Sequence, residues 1–226
     1  YPGSPMGAVS LARQSMYDAQ WYAQALQVAQ TSRVPRPDIN DALAALVPVV
    51  RGKQPILVET SDEQFALRAD IFAREFGLRL ILRGSGSEYR RINEVAATGR
   101  PVIVPLNFPD APNVSTPEIA AGVTLESMMH WDLAPENPAK IHEAGITMAL
   151  TTHGLSSKED FLKQVRKAVE RGLPKEAALD AMTIVPAQLT GTSHLLGTIA
   201  PGRLASFFVT DGDLFEADTK IVETWI

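Results

Sequence analysis

Residues 55–83 read PILVETSDEQFALRADIFAREFGLRLILR, and the punctuation of this stretch decides the fold. PILVE is a β-branched run too short for a helix. The segment after it is helical in pattern: Ser61 stands at the N-cap position with Glu63 or Gln64 near the third helical residue. Phe65, Leu67, Ile71 and Phe76 supply its apolar side chains, and Gly77 sits where a helix ends. LRLILR then makes a second strand. Neither strand alternates polar with apolar residues, as one with a solvated face would. Strand, helix, strand without alternation predicts parallel strands buried on both faces.

Working outward, the rhythm repeats. A GSGS turn (84–87) precedes the helix EYRRINEVAATG and the strand PVIVPLNF (101–108). A proline-bearing loop and two short helical pieces lead to GITMALTT (145–152). SSKEDFLKQVRKAVERG closes the series, with Phe161, Leu162, Val165, Ala168 and Val169 on one face. Four βα units therefore lie near 55–172. A doubly wound sheet and a (β/α)8 barrel both fit, but four units make half a barrel, and half a barrel has open edges. A barrel reading places its other half outside this stretch.

On the amino-terminal side, residues 8–30 carry neither Gly nor Pro and predict a long helix. SRVPRPD interrupts it, and Asp38 or Asn40 can cap a second helix, DALAALVPVV. On the carboxyl-terminal side Pro174 and Pro186 each start a helical turn. LGTIAPGRLASFFVTDGD (196–213) reads as strand, APGR turn, strand. Pro201 and Gly202 there occupy the two central positions of a type II turn.

Composition narrows the functions. The chain has 226 residues, 45% hydrophobic and 21% charged, with a net charge of −5. The acidic balance argues against a nucleic-acid surface, and no apolar run approaches the length of a membrane span. Having no cysteine excludes disulfides, thiolate metal sites and a cysteine nucleophile, without fixing the compartment. The opening YPGSPMG, with no initiator methionine or signal peptide, reads as the start of a piece of something longer.

The tail ERGLPKEAALDAMTIVPAQLTGTSHLLGTIAPGRLASFFVTDGD (170–213) resembles the carboxyl-terminal signature of the amidohydrolase superfamily. Residues 55–84 are similar to the later strands of its imidazolonepropionase-like branch. The YPGS opening and TTHGL resemble the altered first region of proteins with two successive amidohydrolase-like regions. The resemblance implies the second half of a (β/α)8 barrel over residues 1–190. Residues 191–226 would then be strands of a small composite β-sandwich built from both chain ends. It implies a divalent metal, zinc, that activates water against a C–N bond in a small molecule, with the bound water's pKa brought to about 7. Implied partners are the missing amino-terminal half, a second amidohydrolase-like region beyond Ile226, the small-molecule substrate and a second copy in a homo-oligomer. Neither nucleic acid nor membrane is implied, and export follows from the resemblance alone.

Carried over residue by residue, the ligand positions depart from the family pattern. The first strand's His-x-His is absent. Glu59 stands where the fifth strand ends in His, Arg83-Gly84 where the sixth does, and His153 where the eighth ends in Asp. Even the tail's Ala-Asp is Ala205-Ser206. Glu59 and His153 are the candidate catalytic residues and the candidate metal ligands. Arg83 and His130 are the candidate substrate-binding residues, a guanidinium being suited to a carboxylate. The plainer readings are Glu59 paired with Arg83, His130 packed beside Trp131, and His153 bonded to nearby backbone. His142 reads as solvated, and His194 as a turn residue before the hairpin, far from the strand ends. The GSGS turn can cradle an anion through its N–H groups, but lacks nucleotide-loop spacing, and no Gly-x-Ser-x-Gly elbow occurs. Two functions stand: a metal-dependent amidohydrolase, or a non-catalytic domain with a structural or small-molecule-binding role beside an active region.

Overall fold

The computed structural model describes residues 3–226, so Tyr1 and Pro2 of the YPGS opening lie outside the described residues. Its contacts divide into two compact units, Tyr1–Leu57 with Ala69–Leu80, and Val58–Arg68 with Ile81–Ile226.

The first unit is built on α1 (Pro5–Thr31), started by Ser4, whose hydroxyl accepts the Gly7 N–H at 3.1 Å, with Pro5 in the first turn. α2 (Asp41–Val50) is capped by Asn40, which accepts the Leu43 N–H at 3.0 Å. Tyr22 and Ala23 of α1 and Val49 of α2 are buried. Tyr17 meets Phe76 edge-on at 4.9 Å, and Arg13 pairs with Glu75 at 2.8 Å.

α3 (Glu63–Phe76) corrects two details of the sequence reading. Its first turn is capped by Asp62, which accepts the Phe65 N–H at 2.6 Å, and not by Ser61. Its covered face is Ala66, Ala69, Ala73 and Phe76, while Phe65 and Ile71 are exposed.

Four strands, β1 (Ile56–Glu59), β2 (Leu80–Arg83), β3 (Val102–Pro105) and β4 (Met148–Thr151), form one sheet in chain order. β2 pairs with β3 and β3 with β4, both parallel. Sequential parallel strands joined by helices are the arrangement of a barrel wall rather than of a doubly wound sheet, whose order reverses. The second unit carries the carboxyl ends of all four strands. Leu82, Val102, Val104, Leu106, Met148 and Leu150 are buried against its helices. After β2, a 3-10 turn (Glu88–Arg91) leads into α4 (Ile92–Thr98). The connection from β3 to β4 carries α5 (Pro117–Ala121), α6 (Leu125–Leu133) and α7 (Asn137–Glu143). α8 (Phe161–Glu170), α9 (Lys175–Met182) and α10 (Ile184–Leu189) follow β4.

The terminal hairpin differs from the one expected. β5 (Phe207–Thr210) pairs antiparallel with β6 (Ile221–Trp225), so the hairpin uses residues beyond Asp213. Residues 196–206 form no strand. Pro201-Gly202 do make the expected turn, closed by the Arg203 N–H on the Ala200 carbonyl at 3.2 Å, with Gly202 at φ +83°. Arg203 then donates to the Ser193 and Leu196 carbonyls, which ties this stretch to the preceding loop and removes it from pairing.

Candidate active site

Register sets the site. The Gly84 N–H donates to Ile103 C=O, and Arg83 lies opposite Ile103, which lies opposite Ala149. The Thr60 N–H donates to Arg83 C=O at 3.0 Å and its hydroxyl to the same oxygen at 2.8 Å, which sets Glu59 beside Arg83. One row across the sheet therefore reads Glu59, Arg83, Ile103, Ala149. Arg83 and Ile103 alternate along their strands with buried Leu82, Val102 and Val104 and so share the opposite face of the sheet, whereas Ala149 is itself buried.

Arg83 and Glu59 form an ion pair through Nη2 and Oε1. The two partners differ sharply in surroundings: the Arg83 side chain is 12% exposed, that of Glu59 72%. The pairing weighed as the plainer reading of Glu59 is present. His153 lies two residues past β4, is exposed, and donates its backbone N–H to Thr151 Oγ1 at 3.2 Å. β3 lies between β2 and β4, so His153 is two strands from Arg83.

His130 sits on α6, and its contact is Tyr89 rather than Trp131. The Tyr89 hydroxyl lies 3.0 Å from His130 Nδ1 and the rings stack at 6.1 Å. The Arg90 Nε–H approaches the same hydroxyl at 3.5 Å, and Arg90 Nη1 pairs with Glu126 at 3.0 Å. Burial holds the His130 imidazolium below the ordinary histidine pKa, Arg90 adds to the effect, and Glu126 and Glu88 oppose it. His130 is thus occupied by Tyr89. His142 is exposed, as expected, and His194 is exposed too.

The GSGS turn does cradle an anion, and the anion is the chain's own. The Glu88 carboxylate accepts the Ser85 N–H at 2.6 Å, the Gly86 N–H at 3.2 Å and the Asn137 side-chain amide at 2.7 Å. Asn137 in turn accepts the Tyr89 N–H at 2.8 Å. Ser85 and Ser87 hydroxyls lie 2.7 Å apart, and Ser87 donates to buried Glu63 at 3.1 Å. A Cβ on residue 84 would come within 2.6 Å of Glu88 Oε1, so only glycine fits there. Sequence reasoning missed Glu88 and Asn137. The signal was an acidic residue directly after the Gly-Ser-Gly-Ser run.

Among the described residues, no group of three or more His, Cys, Asp or Glu is placed to hold a metal ion. Glu59 has Arg83 as its partner, and a guanidinium beside a carboxylate opposes a second cation there. The residues present do not fit a metal centre built from this chain alone.

Among solved structures, an amidohydrolase from Thermotoga maritima MSB8 matches 99% of this chain, with a TM-score of 0.79 and 24% identity. The chain spans 55% of the length of that protein. Another amidohydrolase matches with a TM-score of 0.53, 20% identity, 79% of this chain and 43% of its own. A prolidase complexed with N-methylphosphonate-L-proline matches at 0.50, 15% identity, 85% of this chain and 51% of its own. These likenesses support the fold as part of a (β/α)8 barrel. No match was found among curated protein sequences. The family model described as Amidohydrolase family matches residues 136–225, from the helix before β4 through the terminal hairpin. That match covers less than half of the chain, from α7 through β6, so it is there, and in its fold, that the chain is similar to amidohydrolases.

Proposed function

We propose that the chain supplies the second half of the barrel in a hydrolase that cleaves C–N bonds of small molecules such as cyclic amides or dipeptides. The observation that carries this reading is the polar pair Glu59–Arg83 at the carboxyl ends of two neighbouring strands. Barrels keep their chemistry at those ends. Arg83 is assigned to substrate binding. His130, held by Tyr89, is the second substrate-binding candidate. Glu59 and His153 remain the candidate acid–base groups. Amidohydrolases generally use divalent metals; in this protein the ligands of such a metal would have to come from outside the donors described here. The amino-terminal half of the barrel, a second amidohydrolase-like region and a second copy are the proposed partners. Residues 191–226 are proposed as part of a composite β-sandwich that the remaining segment completes.

A second reading is favoured by the same pair. With Glu59 neutralised by Arg83 and no ligand cluster among the described residues, the domain would be non-catalytic and support an active region elsewhere. Zinc content and hydrolysis of dipeptides and cyclic amides, measured on the full-length protein and its Glu59→Ala/His153→Ala variant, separate the two. Stoichiometric zinc and turnover that both fall in the variant support catalysis here. Zinc and turnover unchanged by it place the chemistry elsewhere.

A further inference from the structure

We propose that the contact between His130 and Tyr89 is a pH-sensitive latch: protonation of His130 frees α6 from the turn after β2 while α7 stays in place. The device belongs to the fold and stands whether or not the barrel is catalytic.

Two anchors of different chemistry hold the β3–β4 connection to the 3-10 turn Glu88–Arg91. The first is at α7. Asn137 accepts the Tyr89 N–H at 2.8 Å and donates to Glu88 at 2.7 Å, and Asn137, Pro138, Ala139 and Ile141 are buried. The Asn137 amide has no proton to gain between pH 5 and 8. The second anchor is at α6, and its central contact is a histidine. The Tyr89 hydroxyl lies 3.0 Å from His130 Nδ1, with the rings stacked at 6.1 Å. The Arg90 Nε–H approaches the same oxygen at 3.5 Å, which leaves the phenol proton for a bare Nδ1. A neutral imidazole fits that role. An imidazolium, with hydrogen on both nitrogens, does not.

The charges around the ring act in the same direction. Arg90 of the 3-10 turn stands 6.0 Å from the centre of the Tyr89 ring, and Lys140 of α7 stands 5.6 Å from it. An imidazolium would be a third cation against one phenol. The acids nearby already have partners: Glu126 of α6 holds Arg90 at 3.0 Å, Glu136 holds Lys140 at 3.1 Å, and Glu88 lies in its cradle of donors. Burial first and Arg90 second keep His130 below the ordinary histidine pKa, against Glu126 and Glu88. All these groups sit in the connections on either side of β3, an inner strand, and touch one another directly. A segment added beside β1 or β4 does not come between them.

The hinge is set by what stays fixed. Arg171 holds the Asp132 carbonyl at 2.6 Å and Glu136 at 2.9 Å, and Ala134 and Pro135 between them are buried. Ahead of that point, α6 meets the 3-10 turn through His130 on Tyr89 and Glu126 on Arg90. A released His130 takes its proton at about 6.5 and a latched one only at lower pH. The latch is therefore fully present above about 6.5, and between pH 7.5 and 5 its opening is favoured by on the order of tenfold.

The test is hydrogen–deuterium exchange of the full-length protein at pH 7.5 and 5, with the chemical exchange rate at each pH divided out. In the wild type the protection of α6 is expected to fall about tenfold at the lower pH, while that of α7 stays within about twofold. His130→Asn, which keeps an acceptor near the place of Nδ1 and takes up no proton, is expected to hold α6 equally at both. Tyr89→Phe, which keeps the ring without the hydroxyl, is expected to leave α6 loose at both and serves if His130→Asn does not fold. Wild-type protection of α6 that is absent at pH 7.5, or equal at the two pH values, overturns the proposal. So does a fall of the same size in His130→Asn, or α7 loosening in step with α6.

Discussion

At the scale of single residues, the most consequential group is one that does no chemistry. Glu88 is a buried carboxylate held by two backbone N–H groups and the Asn137 amide. Replacing it with alanine strands those donors in a covered place, at a cost of about 2–3 kcal/mol. Urea unfolding of Glu88→Ala is expected to report that loss with an unchanged m-value. A midpoint equal to that of the wild type would mean that water satisfies the turn. The case also marks what the sequence left unread. The Gly-Ser-Gly-Ser run suggested an anion cradle, and an acidic residue stood one position later. No local rule says that the acid folds back into the cradle, because Asn137 joins from far along the chain. Glu59 beside Arg83 was legible because neighbouring strands in chain order bring their ends together. His153, past the end of β4, is a position that the barrel pattern suggests but does not orient.

At the scale of elements, α6 and α8 are held by polar contacts that can be tested one at a time. α6 buries none of its residues and is anchored by His130 on Tyr89, Glu126 on Arg90 and Asp132 on Arg171. Arg90 donates to the Tyr89 hydroxyl, which leaves that hydroxyl to donate to a neutral His130. The folded pKa of His130 is depressed, so its contribution is fully present above the unfolded value of about 6.5 and is lost as pH falls through the folded value. Denaturation midpoints between pH 7.5 and 5 are expected to fall less steeply in His130→Gln than in the wild type. Parallel slopes would remove His130 from the effect. On α8, Arg166 donates to the carbonyls of Leu214, Ala217 and Thr219 in the loop between β5 and β6. Removing it in Arg166→Ala is expected to cost about 1.5–3 kcal/mol and to speed amide exchange across the hairpin. Exchange confined to the loop tip would show that the hairpin stands without the clamp. The helices and inner strands were legible from caps and apolar runs. The hairpin was displaced because Pro201-Gly202 signals a turn wherever it occurs, and only the Arg203 contacts reveal that its flanks do not pair.

At the scale of the whole molecule, four buried parallel strands were readable because every strand lacked a polar face, while their chain order, which separates a barrel wall from a doubly wound sheet, followed only from the resemblance. Which side of the sheet would stay bare was not readable, since that depends on what the rest of a barrel supplies. A cleft of about 680 Å³ lined by residues such as Met182, Pro186, Phe207 and Trp225 lies between α9–α10 and the hairpin. β6 is exposed along its whole length. Isolated two-stranded ribbons are marginal in water, which fits a hairpin that takes part of its support from elsewhere.

Because the loop after β2 brings its own negative group, it reaches its final shape during folding and needs no visitor to complete it. The stretch next to Arg83 is therefore a rigid platform, already set before anything docks on it.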